Sequence, residues 1–192
     1  KLTVVGTDIN RTNLTRDKFS KLNYQNKVNF PVEFLPSGND PHVKYIDVLK
    51  NDESADCADC VIVVVPDNLH FEIVKNCIKH NKHVLVVKPL TPTILEAKTL
   101  IELAKKNNVY GAVEFHKRWD KQNRILLDEF QNGNLGTPLY SWTEYSQRKS
   151  IPTKFFKDWS EKTSILQYLG VHYIDIIRFA TGAMPKRVMA IG

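Results

Sequence analysis

The chain has 192 residues, and its hydrophobic content of 42% is enough to bury the core of one domain and part of a second. Its 27 basic and 21 acidic residues give a formal charge of +6, but they are interspersed along the chain, which favours a solvated surface over a nucleic-acid site. Three cysteines are too few for a disulfide framework, and no apolar stretch approaches the roughly 18 residues that cross a bilayer.

The first half of the chain alternates between strand and helix patterns. The predicted elements are a strand at 2–8, a helix ending near Leu22, a strand at 32–35, a helix at 45–50, a strand at 61–65, a helix at 69–80, a strand at 83–87, a helix at 92–107 and a strand at 109–115. Such alternation is typical of an α/β fold with a doubly wound parallel sheet.

Residues 61–90 carry the strongest signal. Two runs of Val and Ile without polar alternation predict strands that are buried on both faces, as in a parallel sheet covered by helices. Ligands of such sheets bind beyond the carboxyl ends of the strands, where Pro66, His70, Lys88 and Pro89 fall. The stretch therefore predicts a dinucleotide-dependent active site.

The pattern changes after residue 116. The sequence predicts a helix at 118–132, a long half-exposed strand at 136–148, a polar loop at 150–164, a helix at 165–180 ended by Gly182, and a strand starting near Lys186. We therefore predict a Rossmann-like domain at 1–116 and an α+β domain with a mainly antiparallel sheet at 117–192. Cys57 and Cys60 have the spacing of a redox or zinc motif, but without a second such pair we predict no metal site.

Three motifs in order resemble the Gfo/Idh/MocA family. They are P-x-x-x-H from Pro66 to His70, an apolar strand ending in Lys88 and Pro89, and G-x-H-x-x-D at Gly170, His172 and Asp175. The resemblance as a whole covers about residues 2–192. The resemblance implies an NAD(P)-dependent oxidoreductase that acts mainly on sugars and cyclic polyols. It also implies that Lys88 and His172 are the catalytic pair.

Hydride transfer from a secondary alcohol requires a group that takes the hydroxyl proton. Lys88 can hold the alcohol oxygen and stabilise its developing negative charge, and His172 can accept the proton. Asp175, one helical turn later, would orient His172 or cap the turn. The plainer alternatives are a strand-end lysine that reaches solvent and a hydrogen-bonded core histidine.

Two residues depart from the family pattern. Val87 stands where the family's E-K-P motif has glutamate, and Tyr168 stands where its D-x-G-x-H motif has aspartate. We expect the Tyr168 hydroxyl to relay a proton beside Lys88 and His172. Packing of Tyr168, or an impaired site, is the alternative.

On the cofactor side, an acidic residue after the second Rossmann strand would accept the ribose hydroxyls, and Asp8 fits that place. Asp8 favours NAD, while Arg11 keeps NADP as the alternative. By resemblance, Pro66 and His70 line the adenosine and the nicotinamide ribose, next to Lys88 and Pro89. Glu114 and Arg118 are assigned to the substrate rim, together with Lys88, Tyr168, His172 and Asp175.

The sequence has no G-x-G-x-x-G turn, although that turn follows the first strand of a Rossmann fold. In the strand order 3-2-1-4-5-6 the missing strand would lie between the strands at 2–8 and 61–65. We therefore expect a fragment that lacks the first strand and much of the second domain, and that alone binds NAD poorly or not at all.

The sequence leaves three functions open. The first is a sugar or polyol dehydrogenase, the second a catalytically inactive ligand or NAD sensor of the same fold, and the third, favoured only by net charge, a nucleic-acid binder. We expect a small-molecule substrate, no nucleic acid or membrane partner, and a homo-oligomer formed through the second-domain sheet. We also expect a cytoplasmic location, although a leader upstream of Lys1 would not be visible.

Overall fold

The computed structural model describes residues 2–6, 9–22, 27–28, 30–39, 41–50 and 58–191. The regular elements within these ranges are β1 (Leu2–Val5), α1 (Ile9–Lys21), β2 (Val32–Leu35), α2 (Tyr45–Lys50), β3 (Cys60–Val63), α3 (His70–Lys79), β4 (His83–Val87), α4 (Ile94–Lys106), β5 (Gly111–Glu114), α5 (Lys121–Gln131), α6 (Lys157–Ser160) and α7 (Val171–Thr181). The alternation of strand and helix up to β5 confirms the predicted α/β organisation.

All strand pairing is parallel in the described part of the chain, and it forms two separate sheets. β1 pairs with β2, and β4 lies between β3 and β5. In the larger sheet Val63 is opposite Val86, and Val87 is opposite Glu114. The parallel strands therefore bring the residues after β3, β4 and β5 to one edge of this sheet.

The main core lies between the larger sheet and its helices. A fully buried Val, Leu or Ile side chain stabilises the folded state by about 1.5–3 kcal/mol. The buried apolar residues are Leu49, Val63, Val74, Cys77, Ile78, Val84, Val86 and Leu100. Three of them, on α3, confirm the predicted apolar face at 69–80, whereas Leu69 is exposed because it lies in the short 3-10 turn before that helix.

Local sequence accounts for the start of α4. The Thr93 hydroxyl accepts a hydrogen bond from the Glu96 backbone N–H, and the Glu96 carboxylate accepts one from the Thr93 backbone N–H. This capping box satisfies two backbone donors that a helix otherwise leaves unpaired. It fixes where α4 begins after the Lys88 turn.

The second half differs from the sequence prediction in its strands. α7 ends at Gly182, whose φ of +70° is the left-handed conformation predicted for that helix end. The predicted strands at 136–148 and from Lys186 are wrong, because the structure assigns no strand to residues 137–148 or 183–191. An alternating pattern becomes a strand only when a neighbour supplies its hydrogen bonds, and no described strand pairs with either segment. The predicted antiparallel sheet is therefore not seen.

Two further observations concern metal and membrane sites. Cys57 lies outside the described residues, Cys60 is exposed and Cys77 is buried. The described ranges contain no group of three or more His, Cys, Asp or Glu side chains placed to hold a metal ion. Within the same ranges, every helix is too short or too polar to cross a bilayer.

Candidate active site

The candidate site lies at the carboxyl edge of the larger sheet. Pro66 follows β3, Lys88 and Pro89 follow β4, and Glu114 ends β5. The N-terminal turn of α7 and the residues just before it bring Tyr168 and His172 to the same edge. Residues that are far apart in the sequence therefore meet where parallel sheets usually bind ligands.

Lys88 is held against Tyr168 in two ways. Its ammonium group donates a hydrogen bond to the Tyr168 backbone carbonyl, and Nζ lies 4.5 Å from the centre of the Tyr168 ring. Burial lowers the pKa of Lys88, while the negative charges of Glu114 and Asp67 act in the opposite direction. An ammonium group has three N–H donors, so the Tyr168 carbonyl leaves donors for a substrate oxygen.

His172 is a buried imidazole in the first turn of α7, with only 1% of its surface exposed. Its Nδ1 is buried without a hydrogen-bond partner among the described residues. Burial lowers its pKa to about 4, and the positive charges of Lys88, His116 and Lys117 act in the same direction. His172 is therefore neutral at physiological pH, which is the form that accepts a proton.

Tyr168 connects Lys88 to the segment that precedes His172. The charge of Lys88 acts on the imidazole, and the residue that covers Lys88 lies one turn before His172. Tyr168 contacts Lys88 through its ring face and its carbonyl, which differs from the proton relay through its hydroxyl that the sequence suggested. The observed contacts make Tyr168 a residue that positions Lys88.

Asp175 is paired with Arg118. Both of its carboxylate oxygens accept hydrogen bonds from Arg118, at 2.7 Å from Nε and 2.5 Å from Nη2. The carboxylate raises the pKa of Arg118, and the guanidinium also lies 4.2 Å from the centre of the Phe179 ring. This bidentate pair ties the segment after β5 to α7 and so helps to place His172.

His116 was not among the residues predicted from the sequence. Its Nδ1 lies 2.9 Å from a Glu114 carboxylate oxygen, and its ring centre lies 4.3 Å from that of His172. The Glu114 carboxylate is thus engaged by His116. The sequence E-F-H at the end of β5 could have indicated this contact. It places Glu114 and His116 two residues apart, close enough for their side chains to meet.

The residues predicted to bind the cofactor differ in their exposure and in their contacts. The His70 ring is fully buried, with Nδ1 2.8 Å from the Pro89 carbonyl oxygen and Nε2 2.9 Å from the Val65 carbonyl oxygen. The predicted contact of His70 with a ribose is therefore not available in this conformation, and His70 instead connects the turns after β3 and β4. Arg11 lies exposed on α1, and Asp8 lies outside the described residues.

Asp67 and its partners were also missed. This buried carboxylate follows Pro66 and accepts hydrogen bonds from the Trp159 indole N–H at 2.6 Å and the Thr163 hydroxyl at 2.9 Å. Asp67 lies inside the P-x-x-x-H motif, but its partners are distant in sequence and carry no local signal. The contact joins the end of β3 to the segment that precedes Tyr168.

Comparison with protein-family models assigns the chain. Residues 5–115 match the model described as an oxidoreductase family with an NAD-binding Rossmann fold, and residues 126–192 match a GFO/IDH/MocA C-terminal domain. The chain belongs to the Gfo/Idh/MocA family. The resemblance seen in the sequence motifs is thereby confirmed.

Relatives of this family share moderate sequence identity with the chain. An uncharacterised oxidoreductase of Schizosaccharomyces pombe is 40% identical over 117 residues, which cover 60% of this chain and 32% of that protein. A scyllo-inositol 2-dehydrogenase (NADP(+)) of Bacillus subtilis is 30% identical over 153 residues, which cover 78% of this chain and 42% of the enzyme. The chain therefore spans less than half the length of these curated relatives.

Solved structures agree in fold. A myo-inositol 2-dehydrogenase of Lactobacillus plantarum superposes with a TM-score of 0.69 at 19% identity, covering 94% of this chain and 48% of that one. A scyllo-inositol dehydrogenase of Lactobacillus casei with bound NAD(H) and scyllo-inositol gives 0.62 at 18% identity, covering 95% and 48%. At this identity the likeness establishes the Rossmann-type fold alone.

Proposed function

We propose that the full-length protein is an NAD(P)-dependent oxidoreductase that transfers a hydride between a nicotinamide and a secondary alcohol of a sugar or cyclic polyol. The observation that carries the proposal is the meeting of Lys88, Tyr168 and His172 at the carboxyl edge of the larger sheet. Membership of the oxidoreductase family and the inositol dehydrogenases among its relatives support the same reaction.

In this proposal Lys88 donates a hydrogen bond to the alcohol oxygen and stabilises negative charge as the proton leaves. His172 accepts that proton, because burial and nearby cations keep its imidazole neutral. Its buried Nδ1 has no hydrogen-bond partner among the residues that the structure describes, and a bound hydroxyl group would satisfy it. Tyr168 holds Lys88 in place, so the three residues act as a unit.

The substrate rim is formed by the charged residues around this unit. We assign Glu114, Arg118 and Asp175 to the rim, with Arg118 and Asp175 acting through the ion pair that holds α7. Glu114 and His116 lie on the sheet side. The rim residues carry both positive and negative charges. Such a rim suits a neutral, hydroxyl-rich ligand better than a strongly ionised one.

The nicotinamide cofactor fits the same edge. When bound, the cofactor accepts or supplies the hydride. Pro66, Lys88 and Pro89 lie just beyond the carboxyl ends of β3 and β4, where parallel sheets usually bind ligands. The charge of Asp8 favours NAD and that of Arg11 leaves NADP as the alternative. Relatives named for each cofactor occur in Bacillus subtilis.

The remaining expectations are part of the proposal. A division into domains at 1–116 and 117–192 places Lys88 and Glu114 on the first domain and His172 on the second, so the site lies between them. We propose a homo-oligomer formed through the second domain, and a cytoplasmic location. The exposed aromatic side chains of Tyr140 and Trp142 are consistent with such an interface.

The proposal is tested by hydride transfer in the full-length protein, with NAD or NADP and a panel that includes myo-inositol, scyllo-inositol and aldoses. Lys88→Ala should lower kcat about 100-fold to 1,000-fold, as expected for loss of one oxyanion donor. Lys98→Ala, which removes an exposed lysine on α4, is the matched control and should keep wild-type activity. Saturable nucleotide binding without turnover on any of these compounds would contradict the enzyme proposal and favour the sensor.

A further inference from the structure

Asp67 is a buried carboxylate that the proposed chemistry does not use. It lies in the 3-10 turn after β3 and is 2% exposed. Its Oδ1 accepts hydrogen bonds from Trp159 Nε1 at 2.6 Å and from the Asn68 backbone N–H at 3.0 Å, and its Oδ2 accepts one from the Thr163 hydroxyl at 2.9 Å. A buried carboxylate is costly unless donors surround it, so these three contacts define a built arrangement.

A continuous series of contacts leads from Asp67 to Lys88. The Trp159 ring meets the Tyr168 ring edge to face, with centres 4.9 Å apart and planes at 88°. Phe156 packs against Trp159 at 5.4 Å and completes an aromatic cluster of Phe156, Trp159 and Tyr168. Tyr168 in turn covers the Lys88 ammonium group with its ring and accepts its hydrogen bond.

We propose that Asp67 is a positioning residue for Lys88. By holding Trp159 and Thr163, it seats Tyr168 over the ammonium group and fixes the direction in which the remaining N–H donors point. The inference rests on the proposed function only where turnover is measured, because the placement of Lys88 can be measured without a substrate. Edge-to-face packing constrains a ring in orientation as well as distance, so losing the indole contact should release Tyr168.

The charge of Asp67 has a second effect on the same lysine. Burial lowers the pKa of Lys88, and the charges of Glu114 on β5 and Asp67 after β3 raise it. His172 faces Lys88 from α7 and is neutral at physiological pH. Removing the Asp67 charge should therefore shift the pKa of Lys88 downwards, whereas removing only a hydrogen-bond donor should not.

The first test measures the pH dependence of kcat in the full-length protein. Asp67→Asn should lower kcat between about tenfold and 100-fold, as misplacement of a reacting group does, with a smaller change in KM, and should move the basic limb to lower pH. Trp159→Phe should lower kcat without moving that limb. Asp59→Asn, an exposed aspartate just before the same strand, is the matched control and should leave both quantities unchanged.

A conservative pair separates positioning from general packing. Thr163→Ser keeps the hydroxyl that donates to Asp67 and should retain activity, while Thr163→Val keeps the shape and should lose it. If Asp67→Asn fails to fold by circular dichroism, the Thr163 pair and Trp159→Phe carry the test. Equal activity of Thr163→Ser and Thr163→Val, with unchanged kcat in Trp159→Phe, would overturn the proposal.

The second test does not need turnover. Lys88 is labelled with trinitrobenzenesulfonate in the full-length protein, and its labelling rate relative to Lys98 is read by peptide mass spectrometry. Thr163→Val should raise the ratio several-fold, because Tyr168 no longer covers the amine. Asp67→Asn should raise it at least as much, because the pKa of Lys88 also falls and more of the amine is unprotonated. An unchanged ratio in both variants would refute the positioning role, whereas absent hydride transfer in the wild type with a raised ratio would refute only the proposed function.

Discussion

Lys88 and His172 reach the site from two differently supported elements. Lys88 follows β4, the central strand of the larger sheet. β4 is hydrogen-bonded to a strand on each side, and the main core packs against this sheet. His172 lies in the first turn of α7, which the ion pair of Arg118 and Asp175 ties to the segment after β5. The sheet side is therefore rigid through many small contributions, and the helix side is held by a few specific ones.

This difference has a functional consequence. Loss of one core methyl group in the sheet changes stability but leaves the edge of the sheet in place. Loss of one polar contact on the helix side should move His172, which we propose as the proton acceptor. Substitutions on the sheet side should therefore lower stability and leave kcat in place, whereas those on the helix side should lower kcat.

The largest expected effect comes from His172 itself. His172→Gln keeps a polar side chain but removes the group that accepts the proton, so kcat should fall about 100-fold to 10,000-fold. Steady-state kinetics of hydride transfer with the full-length protein measure this. His80→Gln, a histidine at the end of α3, should behave as the wild type, and comparable losses in both variants would contradict the assigned role.

Breaking the Arg118 to Asp175 pair should give an intermediate effect on stability as well as activity. Arg118→Ala leaves a half-buried carboxylate without its two donors, and should lower the free energy of unfolding by about 1.5–3 kcal/mol in urea titrations. Arg118→Lys should restore little, because an ammonium group cannot make the same bidentate contact. If Arg118→Lys kept full stability and kcat, the pair would not place α7.

The smallest effect is expected on the sheet side. Thr93→Ala removes the side-chain half of the capping box on α4 and should cost about 1 kcal/mol in thermal or urea unfolding. Since the cap is not among the residues proposed for the site, kcat should change little. A loss of kcat as large as that of Arg118→Ala would show that the two sides do not differ as described.

The same contrast explains what the sequence predicts well. Apolar runs and a helix cap are local signals, because each lies within a few residues of the sequence. They predict strands β3 to β5, helices α3 and α4, and the edge that carries Lys88. The expected pairing of His172 with that edge comes from the family resemblance of its G-x-H-x-x-D motif. The roles of Asp67, His116 and Asp175 were missed or misassigned, because they depend on partners far away in sequence.

The failed strand predictions have a related cause. Residues 137–148 alternate polar and apolar side chains as a half-exposed strand does, but this pattern describes only one side of a pairing. Without a described neighbour, their large side chains such as Leu139 and Trp142 stay exposed. Strand assignment therefore needs information on a second segment that the pattern itself does not contain.

An NMR titration of His172 can show whether its imidazole and the Lys88 ammonium group share one site. The resonance is assigned by its loss in His172→Gln, and Lys98→Met serves as the control for a lysine elsewhere. Because a nearby positive charge disfavours the imidazolium form, the pKa of His172 should be about 4 in the wild type and should rise in Lys88→Met. A pKa near its ordinary value in the wild type, unchanged by Lys88→Met, would contradict the account.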